Sequence, residues 1–532
     1  MSSDPDTTEE QSRSRSYYRL LFLAAGLVVL AAGVHTVEFG RGHHAWSQYL
    51  RTRPSPDIPL DWQKYIPLPA SDDENFAMTP FFRPLFDFEP GTQRWRDPEA
   101  VERIQKDFGA PYIWDDRSIL FDHWLQEGRI EPSEWLRVNA RRLDQAAGKA
   151  PAFPQPSPLT DRAEAARALL ARLEPFAPVF AELHQASRRP HARFNLRYEQ
   201  APLLSMAMPH LAVVKKAGLM LQWQAVARLD LGQTEAAFED LLLLGALADS
   251  IRDEPVLISH LVRVAAIRGA VQVVGQGLAD RRWSASQLRR IEAQLAPLQL
   301  IAECRHALQA ERAGGLRVID QVQKERALLF HMADDDSSQA WAPGTLARLI
   351  PAGWFDLEKS NYARGFDRLI EKSFAPDACR VNPAGLAEFE QHLDHLGVDS
   401  QLIRHRFFLC VLLSPMTKAI QRAAHAQTLV DLVRIASALD RRRQDLGAHP
   451  GRLEDLVPAC LDALPADRIT GQSLGYRKTE AGGFVLYAAG WNGRDDGGQI
   501  GLHENKSPNL DEGDWVWPRP PGQGAMGSHL NN

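Results

Sequence analysis

The chain has 532 residues, of which 44% are hydrophobic and 24% are charged. These fractions are typical of a folded protein and exclude a disordered, collagen-like or multi-spanning membrane chain. Lys and Arg number 61 against 67 Asp and Glu, so the net charge of −6 provides no basic field for nucleic acid, and we predict no nucleic-acid partner. The four cysteines are too few for the disulfide framework of a small secreted domain.

The N-terminal segment predicts a membrane anchor. Residues 1–19 are polar and predict a disordered cytoplasmic tail, whereas residues 20–37 contain no Asp, Glu, Lys or Arg and show no polar helical face. As a helix the second segment is about 27 Å long, close to the ~30 Å hydrocarbon core of a bilayer. Arg13, Arg15 and Arg19 precede it, so the positive-inside rule places the N-terminus in the cytoplasm. We therefore predict a single-pass protein of the bacterial inner membrane with a periplasmic body.

A cleaved signal peptide is the alternative interpretation of the same segment. Ala31, Ala32 and Gly33 form a cleavage site of small residues, and the apolar run is only slightly longer than that of a usual signal peptide. In both interpretations the body of the protein is exported from the cytoplasm. Residues 33–38 also match a prepilin-peptidase site, but in prepilins the apolar helix follows that site, and here it precedes it.

The exported part divides into regions of different composition. Residues 38–159 are rich in Pro and Trp, with short helices predicted at 116–125 and 132–147 and a stiff proline connector at 151–158. Residues 160–413 have a helical period almost throughout and no strand pattern. The predicted fold class is mainly α: a single N-terminal transmembrane helix, an α-solenoid-like body of antiparallel helical hairpins and a small C-terminal α+β module.

For one helical hairpin the sequence also predicts the position of the turn. Helices are predicted at 220–231 and 234–250, joined at Gly232, and residues 227–240 resemble the turn of a tetratricopeptide repeat. The acidic segment 253–255 predicts the start of the next helix, because acidic residues and proline favour a first turn. Ser284 and Gln287 predict a capping box.

In the C-terminal module, residues 414–518, the spacing of the hydrophobic residues differs from that of the helical body. A long helix is predicted at 414–446, ended by Gly447, and a β-hairpin is predicted from strands at 474–478 and 484–488. Residues 519–532 predict a disordered tail.

Roughly the last 110 residues resemble the C-terminal region of type II secretion major pseudopilins. The segments that carry this resemblance are ALDRRRQDLGAHP at 438–450, LEDLVP at 453–458, LPAD at 464–467, TGQSLGY at 470–476 and FVLYAAG at 484–490. The whole chain is still more similar to a family of uncharacterised membrane-anchored bacterial proteins with a long helical body. The residues shared with that family are Asn75, Phe76, Arg193, Phe194, the ERA sequence at 311–313 and the GWF sequence at 353–355. That resemblance implies no activity, and pilus assembly is not implied because the N-terminal pseudopilin helix is missing.

The pseudopilin resemblance implies a calcium site. In pseudopilins a loop after the hairpin binds Ca²⁺ through oxygen ligands, and Asp495, Asp496, Asp511 and Asp514 stand at the corresponding place. Arg494 departs from that pattern because it stands where an oxygen ligand belongs. The alternative is a solvated Asx turn, which needs no metal.

Several other spacings resemble catalytic or metal sites. Residues 471–475 match the G-x-S-x-G nucleophile pattern, and Asp495 and His503 follow in the order of a hydrolase triad. No βαβ alternation precedes the serine, so we interpret the segment as a glycine-bounded turn.

Two helical spacings suggest metal ligands. Glu303 and His306 lie one turn apart, as in di-iron bundles, but no second such pair exists. Glu388, His392 and His395 share another helical face and suit a metal, although a hydrated surface explains them as well.

The remaining candidates are sulfur and aromatic side chains. The cysteines lack C-x-x-C spacing, which excludes thioredoxin-type chemistry and leaves the pairing of one disulfide open; they are Cys304, Cys379, Cys410 and Cys460. Trp515 and Trp517 are predicted on one face of a strand, either as an aromatic contact surface or packed against the hairpin.

The function predicted from the sequence is that of a non-enzymatic interaction or scaffold protein of the cell envelope. Its partners are the membrane, through residues 20–37, and an envelope protein. One alternative is an envelope hydrolase with Glu303, His306, Glu311 and Arg312 in a helical cleft; another is a calcium-stabilised, pseudopilin-like secretion accessory. An enzyme should gather at least three titratable groups in one cavity, whereas a scaffold should present a broad groove.

Overall fold

The computed structural model describes residues 6–109, 161–198, 206–326, 350–394, 404–413 and 416–517, apart from a few positions within these ranges, and a few isolated residues between them. The chain is mainly helical, with small β-sheets near the C-terminus. The helix predicted at 116–125, most of that at 132–147, the proline connector and the C-terminal tail lie outside the described residues.

The described helices are numbered here in chain order. They are α1 Asp6–Thr52, α2 Pro98–Ile104, α3 Arg162–Leu173, α4 Ala177–Ala186, α5 Pro209–Asp230, α6 Thr234–Asp249, α7 Leu257–Ala279, α8 Ala285–Leu295, α9 Leu300–Lys324, α10 Ala352–Ser373, α11 Pro383–Asp394, α12 Phe407–Leu413 and α13 Met416–Leu446. The strands are β1 Gly475–Lys478, β2 Phe484–Ala488, β3 Ile500–Leu502, β4 Pro508–Gly513 and β5 Trp515–Val516.

Helix α1 contains the predicted anchor and continues beyond it. It begins at Asp6, within the segment 1–19 for which the sequence predicts a disordered tail. Among the described residues, α1 and α7 are long and apolar enough to span a membrane. The most apolar window of α1 has none of its residues buried, whereas 78% of the corresponding window of α7 is buried. We conclude that α7 is a core helix and that α1 contains the N-terminal segment able to anchor the chain.

The C-terminal half of α1 packs on α10, and the two helices run parallel. Gly42 and Gly353 lie so close that a Cβ atom on either would collide with the backbone of the other helix. Farther along, Ser360 Oγ donates a hydrogen bond to the Ala45 carbonyl oxygen at 3.4 Å, and the Tyr49 hydroxyl donates one to Asp367 at 2.9 Å. The absence of side chains at the two glycines is what lets the backbones meet.

Two hydrophobic clusters form the core. The larger one contains α3 and α5–α8 and reaches the C-terminal hairpin, whereas the smaller one contains α10–α12 and the end of α1. Helix α13 belongs to both: Ala419 and Ile420 pack in the smaller cluster, and Leu432 and Leu439 pack in the larger. It contacts α7, α8 and α9, so this single long helix joins the two parts of the body.

The predicted hairpin and capping box are confirmed, but one helix start is wrong. Gly232 turns the chain between α5 and α6 with φ +72°, and Ser284 and Gln287 form the capping box of α8. Helix α7 begins at Leu257, after the acidic segment 253–255 that was predicted to open it. The buried Glu254 carboxylate is hydrogen-bonded instead to His210 and Ser259.

The C-terminal module contains the predicted hairpin. Strands β1 and β2 pair antiparallel from Gly475 opposite Tyr487 to Lys478 opposite Phe484, and β5 pairs antiparallel with the other edge of β2. Strands β3 and β4 form a separate two-stranded sheet. Helix α13 contacts β2 and β5, so the first sheet is attached to the helical body.

The glycine contact between α1 and α10 predicts a specific mutational effect. Gly353→Val should lower the free energy of unfolding by about 1–3 kcal/mol, because the new Cβ atom meets the Glu38 carbonyl and forces the helices apart. Gly40→Val is the matched control, since nothing lies within 4 Å of its Cβ position. Thermal unfolding of the full chain in detergent measures both, and equal melting temperatures for the two variants would contradict the proposed packing.

Candidate functional site

A buried charged group fixes the end of α1 to the body. Asp367 accepts a hydrogen bond from Tyr49 of α1 through one carboxylate oxygen, and the other oxygen pairs with Arg312 of α9. Only 2% of the Arg312 side chain is exposed. Burial and the neighbouring Asp367 carboxylate raise the pKa of Tyr49 above its usual range, so the phenol keeps its donor proton. Three helices, α1, α9 and α10, therefore meet at one carboxylate.

A second buried carboxylate lies nearby on α10. Glu358 is fully buried and accepts hydrogen bonds from the backbone N–H groups of Phe407 (3.0 Å) and Phe408 (3.2 Å), at the start of α12. Burial raises the pKa of Glu358 to about 8, although the two N–H groups oppose that shift. Beside it, His405 lies 3.7 Å from Glu38 of α1. This group joins α1, α10 and α12 just beyond the apolar segment of α1.

The residues of the hydrolase alternative have separate partners. Glu303 pairs with Arg263 of α7 at 2.9 Å, and the His306 ring lies 5.5 Å from that of Tyr65. Glu311 accepts a hydrogen bond from the Leu257 N–H at 2.7 Å, and burial raises its pKa to about 6. Arg312 pairs with Asp367. These four side chains line none of the three cavities considered below.

The other sequence candidates also have local roles. Ser473 lies in an exposed turn that leads into β1, not at a strand-to-helix elbow. Glu388 pairs with Lys372 at 2.9 Å on the surface, and His395 lies outside the described residues. The four cysteines, all described, form no disulfide bond with one another. Within the described ranges, no three His, Cys, Asp or Glu side chains are grouped so that they could hold a metal ion.

The loop predicted to bind calcium is held by its own hydrogen bonds. Asp514 is buried and accepts hydrogen bonds from the backbone N–H groups of Asp496 and Gly498, the latter at 2.6 Å. Asp495 accepts one from the Gly497 N–H, and Asp511 accepts one from Gln421 of α13. Asp511 is thereby directed away from the other three carboxylates. This arrangement does not fit a preformed four-carboxylate site, and calcium binding stays a prediction.

The two tryptophans correct the expectation of an aromatic contact surface. Trp515 is 3% exposed and packs against the His425 ring in the smaller cluster, whereas Trp517 is 6% exposed and belongs to the larger cluster. The Trp517 N–H donates a hydrogen bond to the Leu486 carbonyl oxygen at 2.9 Å, so the pairing with β2 continues beyond Val516, and the common face of the two rings stays a prediction. Both rings are part of the core.

Two buried carboxylates that hold the C-terminal module were not found from the sequence. Asp467 accepts hydrogen bonds from the backbone N–H groups of Ile469, Thr470 and Ala489. Asp431 of α13 binds Arg468 at 2.5 Å, which ties the loop to the body. The sequence indicated Asp467 only as part of the LPAD segment, and it did not indicate which N–H groups this carboxylate binds.

A broad groove is the largest of the three cavities. This groove, called here the α6–α8 groove, has a volume of about 790 Å³ and lies between α6 and α8, with α7 as its floor and residues 187–192 at one end. The floor is apolar, and it includes Leu242, Gly245, Ala246, Ile267, Ala270, Val274 and Leu298. Charges of both signs surround it, namely Arg189, Asp249, Arg252, Asp253 and Arg290. An apolar floor with a polar rim is typical of a protein interface.

The other two cavities are smaller than the α6–α8 groove. One, of about 530 Å³, lies beside the loop 86–90 and contains both acidic and basic side chains; Arg197 lies 4.2 Å from the centroid of the Phe88 ring. The other, of about 640 Å³, lies between α5, α7 and α13. Comparison of the chain with family models, curated proteins and solved structures finds no match.

The raised pKa of Glu358 predicts how stability depends on pH. Between about pH 4.5 and pH 8 the folded protein keeps a proton on Glu358 that the unfolded chain has released. The contribution of this group to stability is therefore complete below pH 4.5 and is lost as the pH rises to 8, by at most about 1.4 kcal/mol per pH unit. Glu358→Gln should remove that part of the slope.

The measurement is chemical unfolding of the full chain at several pH values between 5 and 8. Glu480→Gln, a substitution of an exposed residue in the hairpin turn, is the control and should keep the wild-type slope. An unchanged slope in Glu358→Gln would contradict the assignment.

The hydrogen bonds of Asp514 predict a metal-independent role. Asp514→Ala should lower the free energy of unfolding by about 1–3 kcal/mol, because it leaves backbone N–H groups of the loop without an acceptor. We expect the same loss in millimolar Ca²⁺ and in chelator. A wild-type melting temperature that rises with Ca²⁺ but not with Mg²⁺, and a variant that lacks this rise, would instead support the calcium site.

Proposed function

We propose that this chain is a membrane-anchored, non-enzymatic interaction protein of the bacterial cell envelope, which binds a partner protein in the α6–α8 groove. The single observation that carries this proposal is the unbroken helix α1, which joins an exposed apolar segment to a body that it contacts through Gly42 and the buried Tyr49. The groove would thus be held at a fixed position relative to the membrane.

The exposed apolar side chains support retention of the anchor. Phe22, Val28 and Val29 each have about two-thirds or more of their surface exposed. In a soluble protein few apolar side chains are exposed to this extent. Transfer to lipid removes this surface from water at roughly 25 cal/mol per Å². In this proposal residues 20–37 stay attached as a single span, with the N-terminus in the cytoplasm and the body in the periplasm.

The shape of the groove supports a helical partner segment. Its lining combines apolar residues of three successive helices with acidic and basic side chains. An amphipathic helix buries one apolar face in such a groove and pairs its flanking charges with the rim. The α-solenoid-like and tetratricopeptide-like character predicted for the body is part of this proposal, with α5, α6 and α7 in contact with one another and α6 and α7 lining the groove.

The experiment places a photo-crosslinking amino acid at Ala246 in the groove and, as a control, at the exposed Glu480. The full chain is crosslinked in intact cells, and membranes are then isolated. We expect a discrete adduct from Ala246 that co-fractionates with carbonate-resistant membranes, and none from Glu480.

A second substitution distinguishes groove occupancy from chance proximity. Gly245→Arg should abolish the adduct, since nothing lies within 4 Å of its Cβ position and the new side chain fills the groove without disturbing the fold. Gly451→Arg has an equally open position outside the groove and should keep the adduct. Full-length protein in the soluble fraction would contradict the anchor, and an adduct that survives Gly245→Arg would contradict the groove.

A further inference from the structure

The anchor helix sets the height of one corner of the body above the membrane. In α1 the apolar segment ends at Val37, and Glu38 is the first charged residue after it. A helix rises about 1.5 Å per residue, so residues 38–42 occupy roughly the next 7 Å. The head-group layer on each side of a bilayer is about 5–7 Å thick. With residues 20–37 in the hydrocarbon core, as in the proposed function, residues 38–42 therefore lie in that layer.

The body contacts α1 within this short stretch. Gly353, at the start of α10, lies against the backbone of Glu38 and of Gly42. The His405 imidazole Nε2 lies 3.7 Å from the Glu38 carboxylate, and the ring packs edge-on against that of Trp354. The start of α10 and the loop that precedes α12 are therefore at the level of the lipid head groups.

The loop of residues 404–406, called here the corner loop, has its main chain fixed at this level. The Asn361 amide donates a hydrogen bond to the His405 carbonyl oxygen at 2.7 Å, and the N–H of Phe407, directly after the loop, donates one to the buried Glu358. His405 has φ +56°, which is uncommon for a residue other than glycine. Because the loop is already ordered, binding to it costs less conformational entropy.

The corner loop has two arginines that no carboxylate neutralises. Arg404 is exposed and Arg406 is half-buried, and among the described residues neither forms an ion pair. The Glu38 carboxylate is paired with Arg41 at 2.5 Å. Burial lowers the pKa of His405, so its ring is uncharged at neutral pH. These groups together have an excess of two positive charges at the level of the lipid phosphates.

The remainder of α12 leads away from the membrane. Because α1 and α10 run parallel, later residues of α10 lie farther from the apolar segment. Leu409 lies against Gly365, which is twelve residues beyond Gly353 and thus about 18 Å farther along α10. Val411, although 43% exposed, lies beyond the head-group layer. The contact with the membrane is therefore made by the corner loop and not by the apolar side chains of α12.

We propose that the corner loop binds the phosphate groups of anionic phospholipids in the membrane that holds α1. Arg404 and Arg406 donate hydrogen bonds to these phosphates, as guanidinium groups do to oxyanions. A lipid with a net negative charge, such as phosphatidylglycerol, is preferred, because no ammonium group neutralises its phosphate. This contact holds the body against the membrane surface. The inference rests on the anchor of the proposed function but not on the partner of the α6–α8 groove.

The test uses the full chain in nanodiscs of phosphatidylcholine and phosphatidylglycerol. Analogues of the two lipids carry a diazirine in the head group, and a third probe carries it in the acyl chain. After photolysis, mass spectrometry identifies the labelled residues. We expect the phosphatidylglycerol analogue to label residues 39–42 and 404–407 but not Val411, and the acyl-chain probe to label residues 20–37.

Substitution of both arginines makes the test specific. Arg404→Gln combined with Arg406→Gln should lower the ratio of phosphatidylglycerol to phosphatidylcholine labelling at the corner loop by at least about three-fold, because two cations are lost. The corresponding double substitution by Lys keeps both charges and should keep the ratio. Arg103→Gln combined with Arg289→Gln is the matched control, since both arginines are exposed on helices of the larger cluster. Thermal unfolding checks that each variant is folded.

The acyl-chain probe separates failure of the anchor from failure of the corner loop. Without its label on residues 20–37, the anchor and this inference both fail. With that label present, an unlabelled corner loop would contradict the level assigned to it. Equal labelling by the two head-group analogues, or an unchanged ratio in the glutamine variant, would contradict the preference for anionic lipid. If a polyglutamate peptide instead binds through the two arginines, the loop is assigned to an acidic protein segment.

Discussion

The organisation of this protein depends on neutralising one buried arginine. Arg312 is almost completely removed from water, and an unpaired guanidinium in that position would be strongly unfavourable. Its carboxylate partner, Asp367, lies on a neighbouring helix and also accepts a hydrogen bond from the hydroxyl group of Tyr49, near the end of α1. The ion pair between Arg312 of α9 and Asp367 of α10 therefore also attaches α1 to the body. Because Gly42 and Gly353 bring the same two helices into backbone contact, α1 and α10 are held at two points and cannot pivot about one another.

Two of the cavities follow from how α6 and α7 are packed. One side of this helix pair, through Gly245, Ala246 and Ile267, lines the α6–α8 groove, whereas the other side, through Leu244 and Ala266, lines the cavity of about 640 Å³. Helix α7 is mostly buried, which explains why its composition resembles that of a membrane span. One helix pair thus separates two cavities with different linings.

Local sequence patterns predicted those elements whose determinants are adjacent in the chain. The Gly232 turn, the capping box of Ser284 and the β-hairpin are all specified within a few residues, and the structure confirms them. The start of α7 was wrong because the carboxylate that accepts its first N–H comes from Glu311, 54 residues away. The burial of Trp515 and Trp517 could not be decided from the sequence, because strand alternation fits an exposed aromatic face as well as a packed one. The residues that line the cavities could not be predicted, since the α6–α8 groove also includes Phe76 and residues 187–192, and the cavity of about 640 Å³ brings α13 and β4 against α5 and α7.

The buried carboxylates share a role that explains why their pKa values are not signs of chemistry. Glu311 and Glu358 each accept hydrogen bonds from N–H groups at the start of a helix, and Asp467 and Asp514 do the same for loops of the C-terminal module. For Glu311 and Glu358, burial raises the pKa, while the N–H donors favour the charged form, as expected for a capping group taken out of water. A perturbed pKa marks a catalytic group only when the carboxylate also faces a cavity. Here each of the four is directed at backbone N–H groups, so its hydrogen bonds join elements of the fold.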